Sequence, residues 1–181
     1  MFFDFSKAFD SIHHSILLSK LEHYGIRGIA LDLFWSYLSN RSQSVHLDGT
    51  QSVSLPVIYG VPQGSVLGPL LFILYINDIE NGSCKSVSSK VCANHCNSNI
   101  KFVLFADDTN IFISGRSHTD IQYSLNLLIS NLEQYFHANY LHVNTDKTKY
   151  MFFRLPGASH GDNHNIRICF TGEDIKQVKN T

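Results

Sequence analysis

The amino-acid sequence predicts an α+β fold in which a split βαβ arrangement forms one sheet covered by helices on one face. Short apolar runs and longer segments with helical periodicity follow one another in the order strand, helix, strand, strand, helix, strand. The composition, with 44% hydrophobic and 12% aromatic residues, is that of a globular protein rather than a disordered chain. A length of 181 residues is enough for one domain with a sizeable core.

The first half of the sequence is predicted to hold one strand, three helices and a hairpin. The strand covers residues 1–5, and the helices cover residues 11–24, 29–38 and 66–76. Gly25 suits the C-terminal cap of the first helix. Residues 44–47 and 52–55 alternate in polarity on either side of Asp48-Gly49, a dipeptide typical of a tight hairpin turn.

The second half is predicted to hold four strands and one long helix. The strands cover residues 102–105, 111–113, 150–153 and 166–170, and the helix covers residues 119–140. Residues 106–110 separate the first two strands, and their acidic middle predicts a tight β-hairpin. Residues 81–99, which are polar and Ser-rich, and residues 156–165 are predicted to be surface loops of a single domain spanning residues 1–181.

Three carboxylates stand out because apolar strands surround them. Asp4 lies near the end of one predicted strand, and Asp107 and Asp108 lie at the turn of the apolar hairpin. In a split βαβ fold these strands can be neighbours, which would bring the carboxylates to one edge of the sheet. Clustered carboxylates repel one another, and divalent cations such as Mg²⁺ relieve this repulsion. An Asp pair alone is more often a solvated turn; the addition of Asp4 favours a metal site.

Five segments in order resemble the catalytic motifs of the reverse transcriptases of non-LTR retrotransposons. Residues 3–10 resemble the first motif, residues 60–78 the second, residues 105–108 the metal-binding hairpin, and residues 141–148 the motif after the long helix. Residues 36–43 also match the family's spacing. Each short motif is weak evidence by itself, whereas the ordered set covers nearly the whole chain and is specific.

The resemblance implies a polymerase palm with a ferredoxin-like (RRM-like) antiparallel sheet and a short part of the fingers. The activity implied is RNA-directed DNA synthesis, in which a deoxynucleotide is transferred to a primer 3′-hydroxyl by a mechanism with two Mg²⁺ ions, or Mn²⁺ in their place. The partners implied are an RNA template, a DNA primer and deoxynucleoside triphosphates. The remaining fingers, the thumb and an endonuclease region of the parent polyprotein are not found in the chain, so it is expected to be an inactive fragment when alone.

By this resemblance, carboxylates and one main-chain oxygen would hold the metal ions. The implied ligands are Asp4, Asp107, Asp108 and the carbonyl oxygen of Phe5. Lys147 would act as a general acid toward the pyrophosphate or as a phosphate partner. A solvated lysine after a turn is the alternative interpretation of Lys147.

The resemblance also implies residues that bind the nucleotide and the template. They are the main-chain amides near Lys7 and Ala8 for the triphosphate, Phe9 beneath the sugar, Gln63 and Gly64 near the sugar or base, and Arg41 at a template phosphate. A rigid ring at Phe9 would leave no room for a ribose 2′-hydroxyl and so select deoxynucleotides. From local sequence alone, Phe9 as a core residue, Gln63 as a solvated loop residue and Arg41 as an ordinary surface residue stay open.

The remaining cysteines and histidines with suggestive positions are expected to have no chemical role. Cys92, His95 and Cys96 lack the paired CxxC spacing of a zinc site, which favours a polar loop with incidental thiols. His13 and His14 are expected to begin a helix and to face solvent.

Charge and composition leave two function classes open. A net charge of -1 is unusual for a nucleic-acid enzyme, because phosphate binding usually requires a basic surface. The intact motifs favour a polymerase, whereas the charge favours a genomic remnant or domesticated palm that acts at most as a binding module. The longest apolar stretch is shorter than the ~20 residues that span a bilayer, and no signal peptide precedes the first motif. An intracellular protein of the nucleus or cytoplasm, neither secreted nor membrane-bound, is therefore expected.

Overall fold

A computed structural model describes residues 1–84, 99–153 and 166–178. In chain order the elements are β1 (Phe2–Phe3), a 3-10 helix (Ala8–Asp10), α1 (His14–His23), α2 (Ile29–Leu38), β2 (Ser42–Gln43), β3 (His46–Leu47), β4 (Thr50–Gln51), β5 (Leu55–Pro56), α3 (Leu67–Ile76), α4 (Ile79–Cys84), β6 (Asn99–Phe105), β7 (Asp108–Ser114), α5 (His118–Ala138), β8 (Lys149–Tyr150), β9 (Cys169–Phe170), β10 (Glu173–Asp174) and β11 (Lys176–Gln177). The chain divides into two compact units: Met1–Ser6 with Asp78–Thr181, and Lys7–Asn77.

The first unit is built on a five-stranded sheet in the order β11-β8-β1-β7-β6. Neighbouring strands are antiparallel except for β11, which runs parallel to β8. The strands β1, β6, β7 and β8, with helix α4 before β6 and helix α5 before β8, form the predicted split βαβ arrangement. The predicted α+β class is therefore confirmed, and β11 is an additional strand.

Aromatic side chains join the sheet of the first unit to α5. Phe3 and Phe5 are buried, whereas Phe2 points to the opposite face and is 42% exposed, as the two-residue period of a strand requires. The ring of Phe136 on α5 meets Phe3 at 5.9 Å and Phe5 at 5.2 Å, both edge-to-face. Phe170 completes the cluster at 5.8 Å from Phe3.

The helix α5 has clear start and packing signals in its sequence. The hydroxyl of Ser117 accepts a hydrogen bond from the main-chain nitrogen of Asp120 at 3.0 Å, which caps the helix. The buried residues along its inner face are Ser124, Leu125, Leu128, Ile129, Leu132, Tyr135 and Phe136. The Tyr135 hydroxyl also donates to Asp78 Oδ1 at 2.5 Å, which fastens the start of α4 to α5.

The second unit packs its helices around a small apolar core. Leu17 and Leu21 of α1 and Phe72 and Tyr75 of α3 are completely buried. Lys20 donates to the carbonyl of Tyr75 at 2.6 Å and so binds a carbonyl near the C-terminal end of α3.

The predicted hairpin of the second unit has a primed turn. Asp48 and Gly49 both have positive φ, 48° and 78°, between the paired strands β3 and β4. A second pairing, of β2 with β5, continues the same hairpin away from the turn.

Several predicted boundaries differ from the structure. The first helix begins at His14 rather than at Ser11, because Ser11 ends the preceding 3-10 helix and its hydroxyl donates to Ala8 O at 3.0 Å. The predicted surface loop of residues 81–99 is wrong at both ends: residues 81–84 belong to α4 and Asn99 begins β6. Residues 85–98 and 154–165, which contain the rest of both predicted loops, lie outside the described residues. In the described ranges, no helix has the length and apolar character needed to cross a membrane.

Candidate active site

The pairing of β1 with β7 positions two of the predicted carboxylates. Phe3 pairs with Thr109 in antiparallel register, and both side chains are buried on the helix-covered face. Continued by one residue beyond the end of β1, the same register would place Asp4 opposite Asp108. Because side chains alternate between faces, both carboxylates lie on the face opposite Phe3. The structure therefore brings Asp4 and Asp108 to the same end of the sheet.

The main chain of Asp4 is held by the segment between α5 and β8. Asn144 N donates to Asp4 O at 2.8 Å, and Asp4 N donates to the Thr148 hydroxyl at 3.3 Å. Thr148 N in turn donates to Asn144 O at 2.8 Å, and the Thr148 side chain is completely buried. Both supporting residues lie in the segment 141–148, but the sequence pattern does not predict this role for them. A threonine between Lys147 and Lys149 was the only local sign of a buried hydroxyl.

The turn that carries Asp107 has a strained backbone. Ala106 has a φ of 51° between Phe105 and Asp108, which pair across the end of the hairpin. Non-glycine residues rarely adopt positive φ, and such a residue costs about 1–3 kcal/mol. The neighbouring side chains of Asp107 and Asp108 are exposed. The hairpin therefore presents an accessible pair of carboxylates on a backbone that packing must hold in place.

Lys147 lies within ion-pair distance of Asp4. Its Nζ is 3.9 Å from Asp4 Oδ2, and the two side chains are 69% and 39% exposed. Exposed ion pairs of this kind contribute at most about 1 kcal/mol to stability. The pair therefore does little for the fold and leaves both groups accessible to a ligand.

The predicted carboxylate ligands lie at the same end of the sheet but do not form a ready-made cluster. In the parts of the chain that the structure describes, no three Asp, Glu, His or Cys side chains are grouped closely enough to hold a metal ion. Their chemistry nevertheless fits Mg²⁺, which prefers a few carboxylate oxygens together with substrate phosphates. A cation bound by Asp4, Asp107 and Asp108 would therefore require a local adjustment of the exposed aspartates.

The remaining predicted residues belong to the second unit, beginning with the 3-10 helix. Lys7 precedes this helix in a left-handed conformation, with a φ of 52°, and makes no side-chain capping bond. Ala8 is buried, and the half-buried ring of Phe9 packs against Phe72 at 5.3 Å between ring centres. The structure thus holds Phe9 by its packing against α3, rather than leaving it free to rotate.

An open cleft of about 790 Å³ brings together three predicted binding residues of the second unit, Lys7, Arg41 and Gln63. Arg41 donates to the Tyr37 carbonyl at 3.4 Å, and its guanidinium lies 5.6 Å from the centre of the Tyr37 ring. Gly64 does not line this cleft; it has a φ of 78° in the loop after Gln63. The walls of the cleft therefore carry two basic side chains, two amides and the carboxylate of Asp10.

The loop that carries Gln63 is tied to the segment after Phe9. His14 contacts the Gly60 carbonyl through Nε2 at 2.7 Å, and the ring of His13 packs against Tyr59 at 5.2 Å. The prediction that both histidines face solvent is therefore wrong: each is half-buried and in contact with this loop. Cys92, His95 and Cys96 lie outside the described residues.

Comparison with known protein families gives one match over almost the whole chain. Residues 1–177 match the family model described as "Reverse transcriptase (RNA-dependent DNA polymerase)".

Two relatives from Drosophila melanogaster show the extent of the similarity. The chain is 26% identical over 168 residues to "RNA-directed DNA polymerase from mobile element jockey", covering 92% of the chain and 18% of that protein. It is 30% identical over 156 residues to "Probable RNA-directed DNA polymerase from transposon BS", covering 82% of the chain and 16% of that protein. The chain thus spans less than a fifth of either relative.

A solved structure shares the fold. "Structure of apo telomerase from Candida Tropicalis truncated from C-terminal domain" matches with a TM-score of 0.57 and 18% identity, over 96% of this chain and 32% of that one. At this identity the likeness concerns the fold alone, and it agrees with a polymerase palm.

Replacing Ala106 with glycine should stabilise the hairpin that carries Asp107. Glycine adopts positive φ without steric cost, and the gain should exceed the loss from a more flexible unfolded chain, leaving about 0.5–1 kcal/mol. Amide exchange in β6 and β7 should therefore slow about two- to fivefold. Ala138→Gly, at the end of α5 where φ is not positive, should not slow it. Faster exchange in Ala106→Gly would show that the alanine is unstrained.

Proposed function

Because the chain belongs to the reverse transcriptase (RNA-dependent DNA polymerase) family, we propose that it forms the catalytic core of an RNA-directed DNA polymerase of a non-LTR retrotransposon. The observation that carries the proposal is the β1–β7 register, in which Phe3 pairs with Thr109, so that Asp4 and Asp108 are the next residues at the same end of the sheet. The proposed reaction is the transfer of a deoxynucleotide to a primer 3′-hydroxyl, templated by RNA.

The metal-binding role is proposed for Asp4, Asp107, Asp108 and the main-chain carbonyl of Phe5. Two Mg²⁺ ions bound there would supply charge stabilisation for the attacking and leaving oxygens. The hydrogen bonds that Asp4 O accepts from Asn144 N and that Asp4 N donates to the Thr148 hydroxyl support this role, because they hold the main chain of Asp4 on both sides of the carboxylate. Rigidly held ligands lose less freedom when a cation binds.

Lys147 is proposed to act on the leaving pyrophosphate. An exposed ammonium group 3.9 Å from Asp4 Oδ2 is accessible to a phosphate near the same carboxylate. It would either donate a proton to the leaving group or neutralise its charge.

Nucleotide and template binding are proposed for the cleft-lining residues and their neighbours. The main chain at Lys7 and Ala8 would meet the triphosphate, and Arg41 would meet a template phosphate. Gln63, followed by Gly64 with its positive φ, would contact the sugar or base. Phe9 would exclude a ribose 2′-hydroxyl, and its packing against Phe72 supports this role because a steric barrier must be rigid.

The activity is proposed for the longer protein, and the 181-residue chain by itself is proposed to be inactive. Its net charge of -1 offers few of the phosphate contacts that nucleic-acid binding draws on. Poor positioning is also costly, since a displacement of ~1 Å can lower a rate ~100-fold. The same charge supports a second candidate function, that of a non-catalytic remnant or binding module.

A primer-extension assay tests the polymerase proposal. The chain should be joined at both ends to the corresponding segments of the jockey relative and given an RNA template, a DNA primer and Mg²⁺. This extended chain should synthesise DNA, and Asp107→Asn should lower the rate roughly a thousandfold, because several kcal/mol of charge stabilisation are lost. Asp32→Asn, at an exposed position on α2, is the matched control and should have no effect.

The outcomes separate the two candidate functions. Absence of synthesis by the extended chain would favour the remnant. Robust synthesis by the 181-residue chain alone would contradict its proposed inactivity.

Metal binding can be tested on the 181-residue chain directly. Titration with Mn²⁺, followed by paramagnetic broadening of the Asp4 and Asp108 amide signals, should reveal a site at this end of the sheet. Asp107→Asn should weaken the affinity at least about tenfold, because one charged ligand is removed. Asp32→Asn should leave it unchanged. Equal affinity in Asp107→Asn and the parent would rule out Asp107 as a ligand.

Sugar selection tests Phe9 in the extended chain. Phe9→Val removes ring volume, so the preference for deoxynucleotides over ribonucleotides, measured as a ratio of kcat/KM, should fall at least about tenfold. Phe153→Val, at a position 67% exposed, controls for the loss of an aromatic ring. Undiminished discrimination in a folded Phe9→Val variant would show that Phe9 is a packing residue only.

A further inference from the structure

The acidic residue Asp10 has no role in the proposed chemistry, yet it contacts a residue that does. It is the last residue of the 3-10 helix, and its exposed side chain lines the same cleft as Gln63. The Gln63 side-chain nitrogen Nε2 donates to Asp10 Oδ1 at 2.9 Å, although 53 residues separate the two in sequence. This bond lies entirely within the second unit.

The main chain around this contact is fixed on both sides. Val61 N donates to Phe9 O at 2.9 Å, and Gly60 N donates to Ile12 O at 2.8 Å. Gly60 has a φ of 81°, and a Cβ at this position would lie 2.8 Å from Asp10 Cα. Only a glycine allows this approach. These main-chain contacts therefore hold the segments of Asp10 and Gln63 close together, whichever rotamers the two side chains adopt.

The chemistry of the two side chains makes their contact directional. A glutamine amide has an acceptor end and a donor end of nearly equal shape, which exchange when the terminal group turns by half a rotation. An ionised carboxylate only accepts hydrogen bonds, so Asp10 can bind only the NH₂ end. A bond to an ionised group is also stronger than one between neutral groups.

From this geometry we propose that Asp10 is a positioning residue that selects one orientation of the Gln63 amide. With one N–H bound to Asp10, Gln63 keeps its oxygen and its second N–H for a ligand in the cleft. The ligand class is the incoming nucleotide, whose sugar hydroxyl or base N–H would donate to the oxygen of Gln63. This proposal rests on the nucleotide-binding role of Gln63 described under the proposed function. Orientation by Asp10 is the additional element.

A positioning role differs from a simple tether in its response to substitution. Asp10→Ala removes the bond, and Asp10→Asn keeps a possible acceptor but lets either end of Gln63 bind, so the orientation is no longer selected. If Asp10 only tethered Gln63, Asp10→Asn would retain the full activity of the parent. For a positioning residue, Asp10→Asn should resemble Asp10→Ala.

The hydrogen bond can be tested on the 181-residue chain without any activity. The side-chain NH₂ signals of Gln63, identified by their loss in Gln63→Ala, should include one proton shifted downfield by its bond to the carboxylate. Asp10→Ala should move this proton toward the position of a solvated amide while main-chain signals outside the cleft stay in place. Asp32→Ala is the control for loss of one negative charge. An unchanged Gln63 signal in Asp10→Ala would overturn the proposal.

The functional consequence is measured in the extended chain used for primer extension. Asp10→Ala and Asp10→Asn should each raise KM for deoxynucleotides about tenfold, with kcat changed less than about threefold. In the Gln63→Ala background, Asp10→Ala should have no further effect, because the group that it orients is gone. Independent, additive effects, or full activity of Asp10→Asn, would overturn the positioning role. An inactive extended parent would contradict the proposed polymerase function instead, and the NMR measurement would still decide whether Asp10 binds Gln63.

Discussion

The pairing of β1 with β7 is the constraint on which the rest of the first unit depends. It buries Phe3 and Phe5 against Phe136, and by alternation it turns Asp4 to the opposite face. A slip of one residue would place a carboxylate in the aromatic cluster and expose two phenylalanine rings to water, so the core enforces the register. The same hydrophobic burial that stabilises the sheet therefore also determines on which face the Asp4 carboxylate lies.

The elements that could be predicted are those whose signals are local. Both bounds of α2 agree with the sequence prediction, and α5 agrees within two residues because a long periodic face and a serine cap define it. The supporting contacts could not be predicted, because their partners are distant. Asp4 and Thr148 are 144 residues apart, Gln63 and Asp10 are 53 apart, and His14 and Gly60 are 46 apart. No periodicity or propensity reports a hydrogen bond across such separations.

Residues proposed for chemistry occur where regular structure stops. Asp4 follows the last residue of β1, Asp107 occupies a turn, and Lys7 precedes a three-residue helix. Lys7 and Ala106 also have left-handed backbones, with φ of 52° and 51°, a conformation that is unfavourable for residues other than glycine. These positions keep their conformation because the neighbouring strands and the cores of the two units are well packed. Sequence patterns identify the residues here, whereas the backbone geometry follows from tertiary packing.

The position of β6 has a consequence for how the protein behaves in concentrated solution. Among the strands that the structure describes, β6 forms one edge of the sheet, and its seven residues alternate between the two faces. An edge strand presents unpaired main-chain donors and acceptors to any extended segment of another molecule. Val103 and Phe105 are exposed on it, 40% and 76%, so self-association through strand addition would also bury apolar surface. Lys101 is the one charged residue in β6, and repulsion between the lysines of neighbouring copies would oppose such strand addition.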